Sequence, residues 1–180
     1  MTRRDLLARA LAAAAAGAAA GCGYSLAGRG SFLPAHIRVI GIPPFTNTTA
    51  FYEVGQVFTE RVRTEFISRG KYKVQPDTVG VDAVLNGEIL SLQIAPSSFS
   101  EDQQASRYVI TVIAKIQFRD VTANRVIWEN PRWAFREEYD AAAAVDALDP
   151  NAFFGQDATA LDRVGTEFAK SVVSAILEAF

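Results

Sequence analysis

The sequence predicts an α+β fold, a two-layer sandwich in which a mixed sheet of four to five strands carries two helices on one face. Three observations predict it. Val54, Phe58, Val62 and Phe66 recur every fourth residue, the spacing of a helix with one buried side. Tyr108, Ile110, Val112, Ala114, Ile116 and Phe118 alternate strictly with a second set, the spacing of a strand with one buried face. Further β-branched runs lie between these segments, and a second helical stripe closes the chain.

Composition bounds the reading. The 180 residues are 49% hydrophobic and 21% charged, enough for one domain with a true core and too apolar for a mainly disordered chain. A pI near 5.5 lacks the basic excess of a nucleic-acid binder, so no nucleic-acid partner is expected. One Cys excludes an internal disulfide framework and multi-Cys metal sites, and one His excludes His-pair sites. Nothing in the composition calls for a cofactor or a metal.

The chain opens on Thr2-Arg3-Arg4-Asp5, followed by an apolar stretch and then Ala19-Ala20-Gly21-Cys22. From Ala10 to Gly21 there are 12 uncharged residues, whereas a membrane-spanning helix needs about 20. A basic start, a short apolar centre and small residues at the end describe a signal peptide over residues 1–21. The small residues leading into Cys22 resemble a bacterial lipoprotein signal. That resemblance implies cleavage between Gly21 and Cys22, and N-palmitoyl and S-diacylglycerol groups on Cys22. The alternative is a soluble signal that leaves Cys22 a free thiol, a poor residue to expose in an oxidising compartment. One acyl chain binds a membrane marginally and several bind it stably. Gly23 follows the Cys where Asp favours inner-membrane retention, which implies the outer membrane. Thr2-Arg3-Arg4-Asp5-Leu6-Leu7 also resembles a twin-arginine export signal. Three Arg and one Asp leave with residues 1–21, so the mature chain has 15 basic and 19 acidic residues, a net charge of −4. Any anion it binds must be held by a local cluster.

Residues 22–35 are rich in Gly and polar residues and read as a lipidated tether, with a single domain over 36–180. His36–Ile42 is a β-branched run stopped by Pro43-Pro44, hence a strand. Thr46-Asn47-Thr48-Thr49 supplies N-cap candidates for the first helix, and Gly70 a C-terminal stop. Tyr72–Gln75 is a short strand cut by Pro76, and Ala83–Ile94 the next strand, followed by a polar loop over Ala95–Ala105. Ser106–Phe118 is the clearest strand. A turn at Asp120–Asn124 leads into Arg125–Tyr139, where Pro131 demands an edge position or a bulge. Asp149-Pro150 offers a cap and a first-turn proline for the last helix, whose buried stripe is Leu161, Val164, Phe168, Val172, Ile176 and Phe180.

No arrangement of residues points to catalysis. His36 begins a strand without a patterned nucleophile, Glu137-Glu138 lacks a cleft signature, and Gly28-Arg29-Gly30 is not set between a strand and a helix as a phosphate loop requires. The chain is read as a non-enzyme. The odd-numbered face of the Arg107–Arg119 strand is more informative. Arg107, Lys115 and Arg119 share it with Val109, Thr111, Ile113 and Gln117, and Arg132 and Arg136 on the next strand extend it. Same-face residues recur about 6.6 Å apart, so this is a ladder of cations with aliphatic rungs. It suits a phosphorylated lipid or a partner's β-surface; an ordinary solvated sheet face is the alternative.

Cys22-Gly23-Tyr24-Ser25-Leu26, Leu33-Pro34, Ile37–Ile42 and Phe45-Thr46-Asn47-Thr48 ahead of a helix resemble the lipopolysaccharide-assembly lipoproteins, the LptE family. The resemblance implies a lipid-anchored protein at the periplasmic face of the outer membrane. It implies a plug within a large β-barrel translocon (an LptD-like partner) that assists the barrel's assembly and binds lipopolysaccharide without performing a reaction. The lipopolysaccharide-binding candidates Arg107, Lys115, Arg119, Arg132 and Arg136 rest on alternation and charge, not on the resemblance. A strand followed by Pro-Phe-Thr-Asn and a helix also resembles outer-membrane lipoproteins of curli secretion and of peptidoglycan-synthase activation, the alternative reading.

Overall fold

A computed structural model of the chain describes residues 33–69, 71–99, 105–140, 153–155 and 158–179. Gly21, Cys22, the tether to residue 32, Gly70, Asp149, Pro150 and Phe180 lie outside the described residues.

The elements are β1 (Val39–Gly41), β2 (Thr46–Asn47), α1 (Glu53–Ser68), β3 (Lys73–Gln75), β4 (Ala83–Phe99), β5 (Ala105–Asp120), β6 (Arg125–Asp140) and α2 (Ala158–Leu177). They form an α+β sandwich. Its mixed sheet has the order β3-β1-β4-β5-β6, with β2 also paired to β4. β1 runs parallel to β3 and β4, and β2 parallel to β4, while β4, β5 and β6 form an antiparallel meander of long strands.

The helices cover one sheet face. Val54, Phe58, Val62 and Phe66 of α1 and Val164, Phe168, Val172 and Ile176 of α2 are completely buried, and Leu161 nearly so. They meet the even-numbered side chains of β5, of which Ile110, Val112, Ala114, Ile116 and Phe118 have no exposure. Phe58 stacks on Phe168 at 4.7 Å between ring centres, and Phe168 meets Phe135 of β6 edge-on at 5.8 Å. Gly165 permits the close helix approach, since a Cβ there would lie 3.1 Å from the Phe58 ring. Leu33 and Ile37 also reach the core, so the chain is packed before β1 begins.

The structure departs from three sequence expectations. None of Thr46, Asn47, Thr48 and Thr49 caps α1: the N-cap is Tyr52, without a side-chain hydrogen bond. Thr46 and Asn47 instead pair with Glu88 and Ile89 as β2, and Asn47 closes a turn by accepting from Thr49 N at 2.9 Å and donating to Phe51 O at 2.7 Å. This is the local bonding by which Asn and Thr compete with helix. The polar loop expected over Ala95–Ala105 is mostly strand, with β4 running to Phe99 and β5 starting at Ala105. Pro96 is tolerated because β1 and β2 no longer flank β4 there, and because the register shifts between Pro96 and Ser98. The first strand is also shorter than His36–Ile42, keeping only Val39–Gly41. Pro131 meets both of its conditions, since β6 is an edge strand and is bulged.

Candidate functional site

Among the described residues, no helix covers the odd-numbered face of β5. Register builds this outer face strand by strand. Thr46 of β2 stands opposite Glu88 of β4, and Glu88 opposite Lys115 of β5. On β6 the pairing jumps from Ala114↔Trp133 to Ile116↔Asn130, so Pro131 and Arg132 together face the single residue Lys115. A second row runs Asn86, Gln117, Glu129. A third pairs Gln93, Thr111 and Arg136.

The five candidate cations share the face but differ in state. Arg107 is neutralised: its Nε donates to Asp140 Oδ1 at 2.7 Å, and Glu138 Oε2 lies 3.7 Å from its Nη1. These carboxylates raise its already high pKa further, with the Asp140 hydrogen bond the largest cause. Arg119 donates to the side-chain oxygen of Asn124 in the β5–β6 turn. Among the described residues Lys115, Arg132 and Arg136 make no ion pair, and all three are exposed. Like charges opposite one another in a sheet are unfavourable. The bulge places Arg132 opposite Lys115 in the ladder, with Glu88 opposite Lys115 on the other side.

Beside Lys115 the face opens into a cleft of about 400 Å³, lined by Pro43, Pro44, Thr46, Asn86, Gly87, Glu88, Lys115 and Gln117. Its Pro-Pro wall is fixed from behind by α1. Arg63 donates through Nε and Nη2 to the Ile42 carbonyl at 2.9 and 2.6 Å, and Thr59 Oγ1 accepts from Phe45 N at 2.9 Å while donating to Gly55 O at 2.5 Å. Sequence reading missed this cleft. Its signal was Glu88, the one charged residue in the strand Ala83–Phe99.

His36 and Glu137 fall elsewhere, while Glu138 stands on the outer face beside Arg107. His36 Nε2 lies 2.8 Å from Oδ2 of Asp120, which is fully buried and also accepts from Ala123 N at 2.8 Å. Burial pushes the Asp120 carboxyl upward, yet these hydrogen bonds and the charges of His36 and Arg125 hold it below its ordinary value. Asp82 is lowered too, chiefly by the backbone N–H groups of Arg38 and Val39, each 2.8 Å from its Oδ2. Glu137 faces Arg163 of α2 at 3.7 Å. These tie the segments at the starts of β1 and β4 to one another and to β5, and β6 to α2, and none of these residues lines the cleft.

A family model described as LptE, lipopolysaccharide-assembly, matches residues 37–176. No curated protein matches the chain. Among solved structures, the hypothetical protein CT253 from Chlamydia trachomatis is similar at 13% identity with a TM-score of 0.51, over 80% of this chain and 99% of that one. The minor lipoprotein from Acinetobacter baumannii aligns at 10% identity and a TM-score of 0.47, over 81% of this chain and 95% of that one. For the rare lipoprotein B from Shewanella oneidensis the values are 13%, 0.43, 79% and 92%. At such identity the likeness to CT253 speaks for the fold alone.

Proposed function

Because the chain belongs to the LptE family of lipopolysaccharide-assembly lipoproteins, we propose that it is an outer-membrane lipoprotein held at the periplasmic face by acyl groups on Cys22. There it plugs and helps assemble a large LptD-like β-barrel, and its uncovered sheet face binds lipopolysaccharide on the way to the outer leaflet. It acts by binding, not by catalysis. The observation that carries the ligand reading is that, among the described residues, Lys115, Arg132 and Arg136 make no ion pair and stand on a sheet face that α1 and α2 leave open. In a chain whose mature net charge is −4, Lys115 and Arg132 opposed at the bulge, with Arg136 further along the same face, support the reading of a local anion site. The aliphatic rungs Val109 and Ile113, both only partly buried, offer apolar surface beside them.

Affinity purification from detergent-solubilised outer membranes tests the partner. Recovery of a large β-barrel protein supports the reading, whereas recovery of a curli-secretion pore or a peptidoglycan synthase in its place overturns it. Depletion of the protein should lower surface lipopolysaccharide, and an unchanged level rejects a transport role.

A further inference from the structure

The cleft contains a carboxylate that a simple anion site does not need. Glu88 and Lys115 face each other across β4 and β5, yet among the described residues neither joins an ion pair. A carboxylate beside a bound phosphate or carboxylate repels it, so Glu88 weakens any site whose task is only to hold negative charge. The rest of the lining is Gly87, two proline rings, Asn86, Gln117, whose amide already donates to Glu129 Oε2 at 3.2 Å, and Thr46, whose hydroxyl lies 3.5 Å from Gly87 O and can still accept. An ionised Glu only accepts, and Lys only donates. A ligand that suits all of these carries an anionic group at one end and several hydroxyls near it.

We infer that the cleft is a saccharide subsite, taking one pyranose ring with an anionic substituent, a phosphate or a carboxylate. The anion lies on Lys115, and the ring hydroxyls donate to Glu88 and bond to Asn86 and Gln117. This rests on the proposal that the outer face binds lipopolysaccharide, and it names the part of the ligand that this region holds. Size agrees: a cleft of about 400 Å³ lies at the small end of ligand sites, which run from about 300 to 1,000 Å³. Rigidity agrees as well. Pro43 and Pro44 have fixed φ angles, Arg63 and Thr59 tie the backbone on both sides of them, and Phe45 is seated in the core. A wall set before the ligand arrives lowers the ordering cost of a small ligand.

The sign of one substitution separates a saccharide subsite from a bare anion site. With the full-length protein in nonionic detergent, glucosamine 1-phosphate is titrated by calorimetry against wild type, Glu88→Gln and Lys115→Met. Inorganic phosphate and mixed micelles doped with phosphatidylglycerol form the comparison arms. Both variants should bind the sugar phosphate at least about five-fold more weakly, the scale of one lost charge-assisted hydrogen bond. Glu88→Gln should leave inorganic phosphate and phosphatidylglycerol unweakened. If Glu88→Gln binds the sugar phosphate as well as wild type or better, or if wild type binds only phosphatidylglycerol, the saccharide subsite is overturned. Whole lipopolysaccharide binding by Arg132→Ala and Arg136→Ala, measured in parallel, tests the face itself. Loss there with an indifferent Glu88→Gln removes the subsite and keeps the face. No loss there removes the face reading on its own. Unchanged thermal melting assigns each loss to binding, not to folding.

Discussion

The ring of Phe45 occupies the space in which a side chain on Gly87 would begin: a Cβ at Gly87 would lie 2.7 Å from three of the ring's carbons. Phe45 follows the Pro-Pro wall and plugs the core from the strap between β1 and β2, while Gly87 sits in β4 at the floor of the cleft. Glycine in a strand interior marks such close approaches.

Gly87→Ala should therefore destabilise the domain by about 1–3 kcal/mol, the cost of overpacking a core whose ring cannot retreat. Thr59 holds the Phe45 N–H and closes the simplest escape. In the Gly87→Ala Phe45→Leu double variant the two costs should add to less than their sum, because the smaller side chain vacates the contested space. Thermal or urea melts of the four proteins give the coupling. Strict additivity rejects the contact as the reason for the glycine.

Stability should fall as acid titrates the clip below β1. Asp82 and Asp120 are held below the ordinary carboxylate range in the folded state. Each therefore contributes stability that is complete above the unfolded value of about 3.9 and is lost as pH drops towards the folded value. Wild type should lose melting temperature steeply below about pH 4, and Asp82→Asn Asp120→Asn should show a flatter acid limb. At neutral pH the Asp120→Asn change alone should cost about 1–3 kcal/mol, since it weakens two hydrogen bonds to a fully buried group. An equally steep acid limb in the double variant would assign acid lability to other groups.

Much of this fold was legible in the residues, and the reasons are physical. The alternation over β5 and the stripes of α1 and α2 report burial directly, since each residue's side is set by its own element's period. The outer-face positions of Arg107, Lys115 and Arg119 followed from the same rule. What strand-local patterns do not carry is register. Nothing in the sequence near Arg107 announces Asp140, which is brought opposite it by the antiparallel pairing of β5 with β6. The Pro131 bulge was legible as a disturbance, but its position across from Lys115 depends on the whole ladder. The cleft was hidden for the same reason: Pro43, Glu88 and Lys115 come from three separate segments. Thr46-Asn47 misled because residues that cap helices also make turns and short strands, and pairing with β4 decided between these outcomes.

Cys22→Ala should release the mature protein from membranes. On the proposed lipidation, no diacylglycerol attaches without the thiol, and among the described residues α1 and α2 bury their apolar stripes against the sheet. Fractionation of cells with carbonate washing reads the outcome. Wild-type-like retention of Cys22→Ala in the outer membrane would make the barrel, not the acyl groups, the dominant anchor.

The cations of the outer face should not contribute equally to lipopolysaccharide binding. Arg107 already donates to Asp140 and faces Glu138 at 3.7 Å, so a phosphate must compete with two carboxylates for it. Among the described residues Lys115 and Arg132 make no ion pair, although Glu88 stands opposite Lys115 on β4, and both lie at the bulge. Charge-assisted contacts at exposed sites contribute roughly 1 kcal/mol each, about five-fold in affinity. Lys115→Ala Arg132→Ala should thus weaken binding by about twenty-fold or more at low salt, while Arg107→Ala changes it less than about two-fold. Both losses should shrink as ionic strength rises and screening shortens the reach of exposed charges. Surface plasmon resonance with immobilised lipopolysaccharide at two salt concentrations measures this directly. A dominant effect of Arg107→Ala would place the ligand at the far end of the strand, where Asp140 and Glu138 release the guanidinium on binding, and would leave the bulge a structural feature of an edge strand.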